Sequence, residues 1–393
     1  MAIDDSVKNR GVLGADARRL SAQLRAQREQ IFPTSGQKAL RTFSSTEAAA
    51  LLGVGDSYLR QLSLDGQGPA PEVGAGRRRA YTLRQINELR AFLLEKRGGD
   101  KIISGRRKPQ ERMQVLSVAN FKGGSGKTTT AAHLAQYLAL HGYRVLAIDL
   151  DPQASLTSLH GIQPELDVGM GESLYGAIRY EKRRSISEVI RKTYFDGLDI
   201  IPANIELMEF EHETPLNMRR GGSSFFSRVL ESLTEVESSY DVVVIDCPPQ
   251  LGYLTLSALC ASTGLIVTVH PQMLDVTSMC QFLMMLDDLL EVMAGTGEFK
   301  GFEIIRYLIT RYEPTDGPQT QMVAFVRSMF EHRVLTSPML KSTTIADAGL
   351  SKQTLYELGR ESFVRATYDR AIEALNAVNR EIEGLLKASW GRA

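Results

Sequence analysis

Residues 120–130 read Asn-Phe-Lys-Gly-Gly-Ser-Gly-Lys-Thr-Thr-Thr and decide the fold of this 393-residue chain. They follow a short apolar run, 114–119, and lead into a segment of helical pattern, 131–140. Glycines at a strand-to-helix turn let backbone N–H groups surround a phosphate, and the helix N-terminus favours its negative charge. We therefore predict a phosphate-binding loop in which Lys127 reaches the β- and γ-phosphates of a nucleotide and the Thr128 hydroxyl coordinates Mg²⁺.

The sequence after this loop alternates short apolar runs with segments of helical periodicity. We predict strands near 114–119, 144–149, 198–201, 241–246, 264–269 and 303–310, and a helical segment from Glu361 to Trp390. Strands that are separated by helices form parallel sheets covered on both faces. The prediction for 113–393 is an α/β nucleotide-binding domain with a doubly wound, mostly parallel sheet and C-terminal helices.

Two acidic elements stand at the ends of predicted strands, where ligands of open α/β sheets bind. Four apolar residues followed by Asp246 form the Walker B pattern, so we predict that Asp246 holds Mg²⁺ through water. The strand near 144–149 runs into Asp149-Leu150-Asp151-Pro152-Gln153. An aspartate at a strand end is also a common turn residue, so the interpretation of Asp149 and Asp151 depends on the phosphate-binding loop.

The phosphate-binding loop departs from the ordinary pattern in two positions. Phe121 stands where the usual motif has its first glycine, and an additional lysine, Lys122, precedes the glycine pair. The pattern Lys-Gly-Gly-x-Gly-Lys-Thr resembles the deviant Walker A motif of the ParA/MinD group of P-loop ATPases. The segment from Asp149 to Gln153 is similar to the Asp-x-Asp-Pro-Gln element of the same group.

This resemblance implies roles for the residues of the nucleotide site. Lys122 reaches across a dimer interface to the partner's nucleotide phosphates and acts there as a catalytic cation. Asp151 is the second catalytic residue and orients or activates the attacking water, while Asp149 sits near the Mg²⁺ shell. The implied cofactors are ATP and Mg²⁺. The metal is assigned to Thr128, Asp149 and Asp246, and the nucleotide to Lys122, Gly123, Gly124, Ser125, Gly126, Lys127, Thr128 and Thr129.

Three later segments, 308–314, 341–344 and 353–357, are similar to the RepA partition ATPases of RepABC plasmids and secondary replicons. The resemblance extends over nearly the whole chain from about Arg41. It implies an ATP-dependent homodimer that binds DNA nonspecifically and segregates replicons with a ParB-like partner, in the cytoplasm and on the nucleoid. The larger members of this group also repress their own operon through a helix-turn-helix.

The N-terminal part of the chain is basic, although the whole chain has a formal net charge of zero. Residues 1–110 contain 20 Lys and Arg against 11 Asp and Glu, and the acidic remainder offsets this excess. A basic segment of this kind suggests a nucleic acid as partner. We divide it into a helical extension, 1–40, a DNA-binding module, 41–97, and a linker, 98–112.

Residues 43–62 predict a helix, a tight turn and a second helix, with Ser44 or Ser45 as the first N-cap. An ordinary helical hairpin would show the same pattern, but the basic charge and the arginine triplet that follows favour a DNA-binding module. It resembles a MerR-like winged helix, and we predict an all-α (winged) helix-turn-helix. We predict DNA contacts at residues whose side chains can bond to base edges or phosphates. They are Tyr58, Arg60 and Gln61 on the second helix, Arg77, Arg78 and Arg79 on the wing, and Lys341 in the C-terminal half.

Two alternative functions use much of the same sequence. A transcriptional repressor that ATP only switches, with little turnover, would need the same residues and stays open. A MinD-like membrane-cycling ATPase needs a basic amphipathic C-terminal helix, whereas Glu381 and Glu383 lie near Lys387 here, so we expect no membrane partner.

The uncharged stretch 247–274 is broken by Pro and Gly, which favours a buried helix–strand unit over a membrane span. Three cysteines without a Cys-x-x-Cys spacing favour a reducing compartment and argue against the metal cluster of nitrogenase iron proteins.

Overall fold

The computed structural model describes residues 11–23, 26, 38–73, 79–97, 104–221, 224–295, 297 and 299–392. The chain divides into two compact units, 1–39 and 40–393. In the first unit, residues 11–23 form a helix, α1. The second unit contains both the predicted DNA-binding module and the predicted nucleotide-binding domain.

Residues 43–97 form a small module of three helices and a three-stranded antiparallel sheet. Its elements are β1 Phe43–Ser44, α2 Ser45–Leu52, α3 Asp56–Leu64, β2 Glu72–Val73, β3 Arg79–Tyr81 and α4 Leu83–Arg97. The predicted cap is confirmed at Ser44, because its Oγ accepts from Glu47 N at 3.3 Å and its N–H donates to the Glu47 carboxylate at 2.9 Å.

The prediction that this module is all-α is wrong, because β3 pairs with both β1 and β2. The strands are only two or three residues long, which is too short for an alternating pattern to stand out in the sequence. Burial of Phe43 and Tyr81 anchors the β1–β3 pair against the helices.

A seven-stranded sheet forms the centre of the second unit. Its strands are β4 Gln114–Ala119, β5 Val145–Asp149, β6 Arg191–Lys192, β7 Leu198–Ile201, β8 Val242–Asp246, β9 Gly264–Val269 and β10 Ile304–Ile309. The order is β10-β9-β4-β8-β5-β7-β6, and all neighbours are parallel except β6, which is antiparallel at one edge. Strands β4, β5, β8 and β9 are buried along their whole length, as is typical of parallel strands covered on both faces. The predicted α/β fold with a mostly parallel sheet is confirmed.

Helices connect these strands. The longer ones are α5 Lys127–Leu140, α9 Met208–Arg219, α12 Met273–Gly295, α13 Gly317–Phe330 and α15 Arg365–Ser389. The shorter ones are α6 Ser155–Leu159, α7 Pro164–Asp167, α8 Leu174–Ile178, α10 Arg228–Thr234, α11 Tyr253–Ala261 and α14 Thr343–Leu350. Single 3₁₀ turns lie at Ile186–Glu188, Ile205–Leu207, Glu331–Arg333 and Arg360–Ser362. The uncharged stretch 247–274 forms α11 and β9, as predicted, and among the described helices none combines the length and apolarity needed to cross a membrane.

Helix α5 is buried on nearly all sides, and α15 packs along it. The hydroxyls of Tyr137 and Tyr143 donate to the two carboxylate oxygens of Glu383 at 3.2 and 3.0 Å. Lys387 Nζ lies 2.8 Å from Glu383 Oε1 and balances this largely buried charge. The apolar face of α15 is therefore used inside the protein. Its fully buried members include Leu375, Val378, Ile382 and Leu386.

Arg90 of α4 joins the module to the sheet domain. Its side chain donates to the Leu51 carbonyl at 3.1 Å and to the Leu140 carbonyl at 2.8 Å, so one guanidinium bonds the C-terminal ends of α2 and α5. Burial lowers the pKa of Arg90 to about 10, which leaves it charged at neutral pH. Gly142 provides the space, because a Cβ at this position would lie 2.7 Å from Arg90 Cδ.

The described part of the predicted linker, 104–112, is bonded to the sheet domain. Arg107 Nε donates to the Tyr240 carbonyl at 3.0 Å, and Trp390 Nε1 donates to the Arg112 carbonyl at 2.8 Å. The rest of the predicted linker lies outside the described residues. Hydrogen bonds to the sheet domain and from Trp390 therefore hold the stretch 104–112.

We predict that Arg90→Ala lowers the free energy of unfolding by about 2–4 kcal/mol, because it leaves buried carbonyls without a charged donor. Urea denaturation followed by circular dichroism measures this. Arg84→Ala is the matched control on the same helix, since the Arg84 side chain is 80 % exposed and should change stability by no more than about 0.5 kcal/mol. Equal urea midpoints for the two variants would show that the Arg90 junction contributes nothing to stability.

Candidate nucleotide-binding site

The glycine-rich loop lies between β4 and α5, at the carboxyl edge of the sheet. Gly124 and Gly126 have φ values of 75° and 89°, the left-handed region that glycine adopts without strain. Lys127 begins α5, and its Nζ donates to the Lys122 carbonyl across the loop at 3.1 Å. Burial lowers the pKa of Lys127, and the nearby carboxylate of Asp246 opposes this shift. The loop is a closed turn bridged by one ammonium group, which is the geometry that phosphate binding needs.

Side chains at the ends of β9 and β10 hold this loop from outside. Thr310 Oγ1 donates to the Ser125 carbonyl at 2.7 Å, and Thr268 Oγ1 donates to Ser125 Oγ at 2.9 Å. All three residues are buried. A carbonyl fixed on the outside of the loop directs the neighbouring N–H groups to the inside, where a phosphate binds. Thr268 and Thr310 are not among the residues predicted from the sequence, although a polar residue at the end of an otherwise apolar strand is a usable signal.

Asp246 ends β8 beside the loop and is 1 % exposed. Within the described residues, no hydrogen bond of good geometry reaches either of its carboxylate oxygens, although the Thr128 hydroxyl lies beside them. Burial, and then the charge of Asp149, raise the pKa of Asp246 well above its usual range. A buried carboxylate without a partner is costly unless a cation completes it.

These residues fit a Mg²⁺ ion that arrives with a nucleotide. Mg²⁺ takes one or two protein oxygens and fills its remaining positions with water and phosphate oxygens. Asp246 and the Thr128 hydroxyl meet that requirement. The described part of the chain contains no group of three His, Cys, Asp or Glu side chains that could hold a metal ion without a nucleotide.

Asp149, at the end of β5, is fully buried, and its carboxylate is already hydrogen-bonded. Its Oδ2 accepts from Thr157 N at 2.8 Å and from Thr157 Oγ1 at 2.7 Å, while Oδ1 accepts from Asp151 N at 3.1 Å. Burial raises the pKa of Asp149 to about 7, and these hydrogen bonds oppose the rise. Asp151 is partly exposed, and its Oδ1 accepts from Gln153 N at 2.9 Å. Asp149 therefore holds the turn that presents Asp151, whereas Asp246 has more capacity for a cation.

Lys122 lies at the rim of the loop and contacts α12. Its Nζ is 2.6 Å from Oδ2 of Asp275, whose side chain is 5 % exposed, while that of Lys122 is 39 % exposed. His270 Nδ1 lies 3.8 Å from the other carboxylate oxygen of Asp275. Burial lowers the pKa of His270, and the charge of Asp275 opposes this. Asp275 is not among the residues predicted from the sequence, although it is the first charged residue after the uncharged stretch 247–274.

The predicted DNA contacts on the module differ in exposure. Arg60 and Gln61 are exposed on α3, and Gln61 Nε2 donates to Asp65 Oδ1 at 2.7 Å. Tyr58 is half-buried and packs against the hydrophobic core, and Arg79 is half-buried on β3. Arg60 is thus the member of this set that is most open to a DNA partner.

Three of the predicted DNA contacts remain, two arginines of the triplet and one lysine of the C-terminal half. Arg77 and Arg78 lie outside the described residues. Lys341 forms an ion pair with Glu313, with 2.8 Å between Nζ and Oε2, and its backbone N–H donates to the Tyr312 carbonyl beyond the end of β10. Lys341 therefore lies on the nucleotide side of the sheet.

The chain is similar to known sequences along most of its length. Residues 113–294 match the family model of the AAA domain. The chain is 54 % identical to a protein of Rhizobium rhizogenes named "Putative replication protein A", over 96 % of this chain and 94 % of that protein. It is 32 % identical to Protein SopA of Escherichia coli strain K12, over 90 % of this chain and 91 % of SopA.

Solved structures share the fold. One described as "Partition Protein" matches with a TM-score of 0.63 and 22 % identity, over 96 % of this chain and 99 % of that chain, which shows the fold alone. Cobyrinic acid a,c-diamide synthase from Mycobacterium smegmatis, with bound ADP and magnesium, matches with a TM-score of 0.51 and 29 % identity, over 61 % of this chain and 94 % of that chain. With relatives of this identity along nearly its whole length and a loop of the deviant Walker A pattern, the chain belongs to the ParA family of P-loop ATPases.

Proposed function

We propose that this protein is an ATP-hydrolysing partition ATPase that segregates a DNA replicon. It forms a homodimer around ATP and Mg²⁺, binds DNA nonspecifically in that state, and works with a ParB-like centromere-binding protein in the cytoplasm, on the nucleoid. Its N-terminal module binds an operator and represses its own operon. The observation that carries the proposal is the pair of lysines in one loop, with Lys127 bridging the loop and Lys122 held at its rim. The similarity to SopA over nearly the whole chain supports it.

Nucleotide binding is assigned to the loop and to β8. The N–H groups of 123–129 surround the phosphates, and Lys127 exchanges the Lys122 carbonyl for a phosphate oxygen. Thr128 and Asp246 hold the metal. Bound Mg²⁺ supplies positive charge to the β- and γ-phosphate oxygens.

Hydrolysis is assigned to the aspartate that remains open to solvent. Asp151 is partly exposed at the same edge of the sheet as the loop, so its carboxylate can orient a water molecule. Asp149 keeps the turn in place through its bonds to Thr157. In this proposal Asp149 lies near the metal shell, and it positions Asp151 by accepting a hydrogen bond from the Asp151 N–H.

The proposed homodimer rests on Lys122, which would act on the nucleotide of a second copy of the chain. Lys127 already provides a lysine in the same loop, while Lys122 is partly exposed and paired with Asp275. A lysine on the rim can exchange this carboxylate for the phosphates of a nucleotide in a second copy of the chain. In that role it supplies the charge that an arginine finger supplies in other nucleotide hydrolases.

One observation favours the second candidate function, a repressor that ATP switches with little turnover. Helix α5 begins at the nucleotide loop, and its last turn is bonded to the module through Arg90. A displacement of α5 on nucleotide binding would therefore reach the DNA-binding module without hydrolysis. The membrane-cycling alternative gains no such support, because α15 uses its apolar face against α5.

We predict that Asp151→Ala keeps ATP bound but lowers the turnover rate by at least about tenfold, because it removes only the water-positioning carboxylate. Lys127→Ala should instead weaken ATP binding itself, because it removes a phosphate contact. Equilibrium binding of labelled ATP and phosphate release in the presence of DNA measure the two effects. A wild-type rate in Asp151→Ala would place the water-positioning group elsewhere, and a wild-type protein that binds ATP without turnover would favour the switched repressor.

We predict that Lys122→Ala abolishes ATP-dependent dimerisation, whereas Asp275→Ala lowers the ATP concentration needed for dimerisation several-fold. The first change removes the cation that reaches the partner's nucleotide, and the second removes the carboxylate that holds this cation in its own subunit. Light scattering during an ATP titration measures both. Undiminished dimerisation of Lys122→Ala would rule out the role across the interface.

We predict that Arg60→Ala weakens binding to the protein's own promoter region by about 1–3 kcal/mol and has little effect on random DNA, as expected for loss of a base contact. Arg79→Ala should weaken binding to both DNAs and reduce the salt slope by about one, as expected for a phosphate contact. Arg84→Ala on α4 is the control, and fluorescence anisotropy across a salt series is the measurement. Equal losses on both DNAs for Arg60→Ala would contradict base reading by α3.

A further inference from the structure

Arg311 lies beside the nucleotide loop and has no part in the function proposed above. It follows the buried Thr310 directly after β10, and its side chain is exposed. Its Nη1 donates to the Gly124 carbonyl at 3.1 Å, so the guanidinium touches the glycine pair of the loop. The two remaining guanidinium nitrogens face no acceptor within the described part of the chain.

The backbone of Arg311 is held in an unusual conformation. Its φ is 52°, in the left-handed region that residues other than glycine rarely adopt. The residues on both sides are fixed, because Thr310 N donates to the Val269 carbonyl at 2.8 Å and Tyr312 N donates to the Met339 carbonyl at 3.1 Å. A strained residue that its neighbours hold in place, at a binding site, is a candidate for a role at that site.

Two cations near Arg311 are already paired with carboxylates. Lys122 is paired with Asp275, and Lys341 is paired with Glu313. Among the described carboxylates, none forms an ion pair with Arg311. This guanidinium is therefore an uncommitted positive charge at the edge of the loop.

We propose that Arg311 contacts the polyphosphate of the nucleotide bound in the same subunit. The inference rests on the proposed nucleotide binding and adds a residue that the deviant Walker A motif does not include. A guanidinium offers five donors in a planar fork that matches phosphate oxygens, so it can keep its bond to Gly124 and still bind the ligand. The position next to Gly123 is open, since a Cβ there would meet no described heavy atom within 4 Å.

The test is the affinity of the full-length protein for fluorescent ATP, ADP and AMP in the presence of Mg²⁺. We expect Arg311→Asn to raise the dissociation constant for ATP by at least about tenfold, to raise that for ADP less, and to change that for AMP little. Asparagine removes the charge and tolerates the left-handed backbone. Arg311→Gly, which also suits this backbone, should give the same result and serves if the first variant does not fold.

Lys182→Asn is the matched control. Lys182 is an exposed cation with a φ of 52°, so the control removes the same charge from the same backbone conformation, in the chain between α8 and β6. We expect its affinities to equal those of the wild-type protein. Circular dichroism verifies that all variants are folded.

Each outcome separates this inference from the function on which it rests. If the wild-type protein fails to bind fluorescent ATP, the proposed function fails. If the wild-type protein and Lys182→Asn bind while the Arg311 variants bind ATP equally well, only the inference fails. Equal losses for ATP, ADP and AMP would assign Arg311 to bracing the loop. Either result would overturn the polyphosphate contact.

Discussion

Burial of α5 on nearly all sides is possible only because polar groups serve both of its ends. An α-helix leaves its first four N–H groups and its last four carbonyls without partners inside the helix, and leaving them buried is costly. At the C-terminal end, the Arg90 guanidinium bonds the Leu140 carbonyl. At the N-terminal end, the glycine-rich loop folds over the first turn. The N-terminal end of α5 is thus suited to an anion, and its C-terminal end is bonded to the cationic side chain of Arg90.

The two ends of the described second unit meet on this same helix. The N-terminal module contacts its last turn, and the C-terminal helix α15 packs along its side, with Glu383 between Tyr137 and Tyr143. The strand ends that fix the loop, through Thr268 and Thr310, belong to the half of the sheet opposite Asp246. The loop is therefore supported on one side by neutral hydroxyls and faces carboxylates on the other. A metal ion would therefore bind on the side of the loop where Asp246 lies.

Short-range patterns predict the strands of the sheet, the loop and the three aspartates. Short apolar runs, glycine spacing and strand-end carboxylates are all contained in windows of a few residues. The same patterns mark Thr310 as a polar strand end and Asp275 as a charge after an apolar stretch, but they do not place these residues or Arg311 at the loop. Their roles depend on which strand ends lie side by side, and the order β10-β9-β4 is not contained in any such window. Strands β1 to β3 were missed because they are too short to show a pattern. The glycine and the basic residues of 104–112 are typical of a linker, although hydrogen bonds hold this stretch to the sheet domain.

The position of β4 has a consequence for how the protein is made. This strand carries the nucleotide loop and is the first strand of the large sheet to leave the ribosome, yet both of its neighbours, β8 and β9, are synthesised much later. The bond from Trp390 to the stretch before β4 can form only after residue 390 has been synthesised. Pairings this distant along the chain form slowly, whereas the module of residues 43–97 contains its own sheet and local contacts. The local pairings of the N-terminal module can therefore form on a nascent chain well before the distant pairings that complete the nucleotide site.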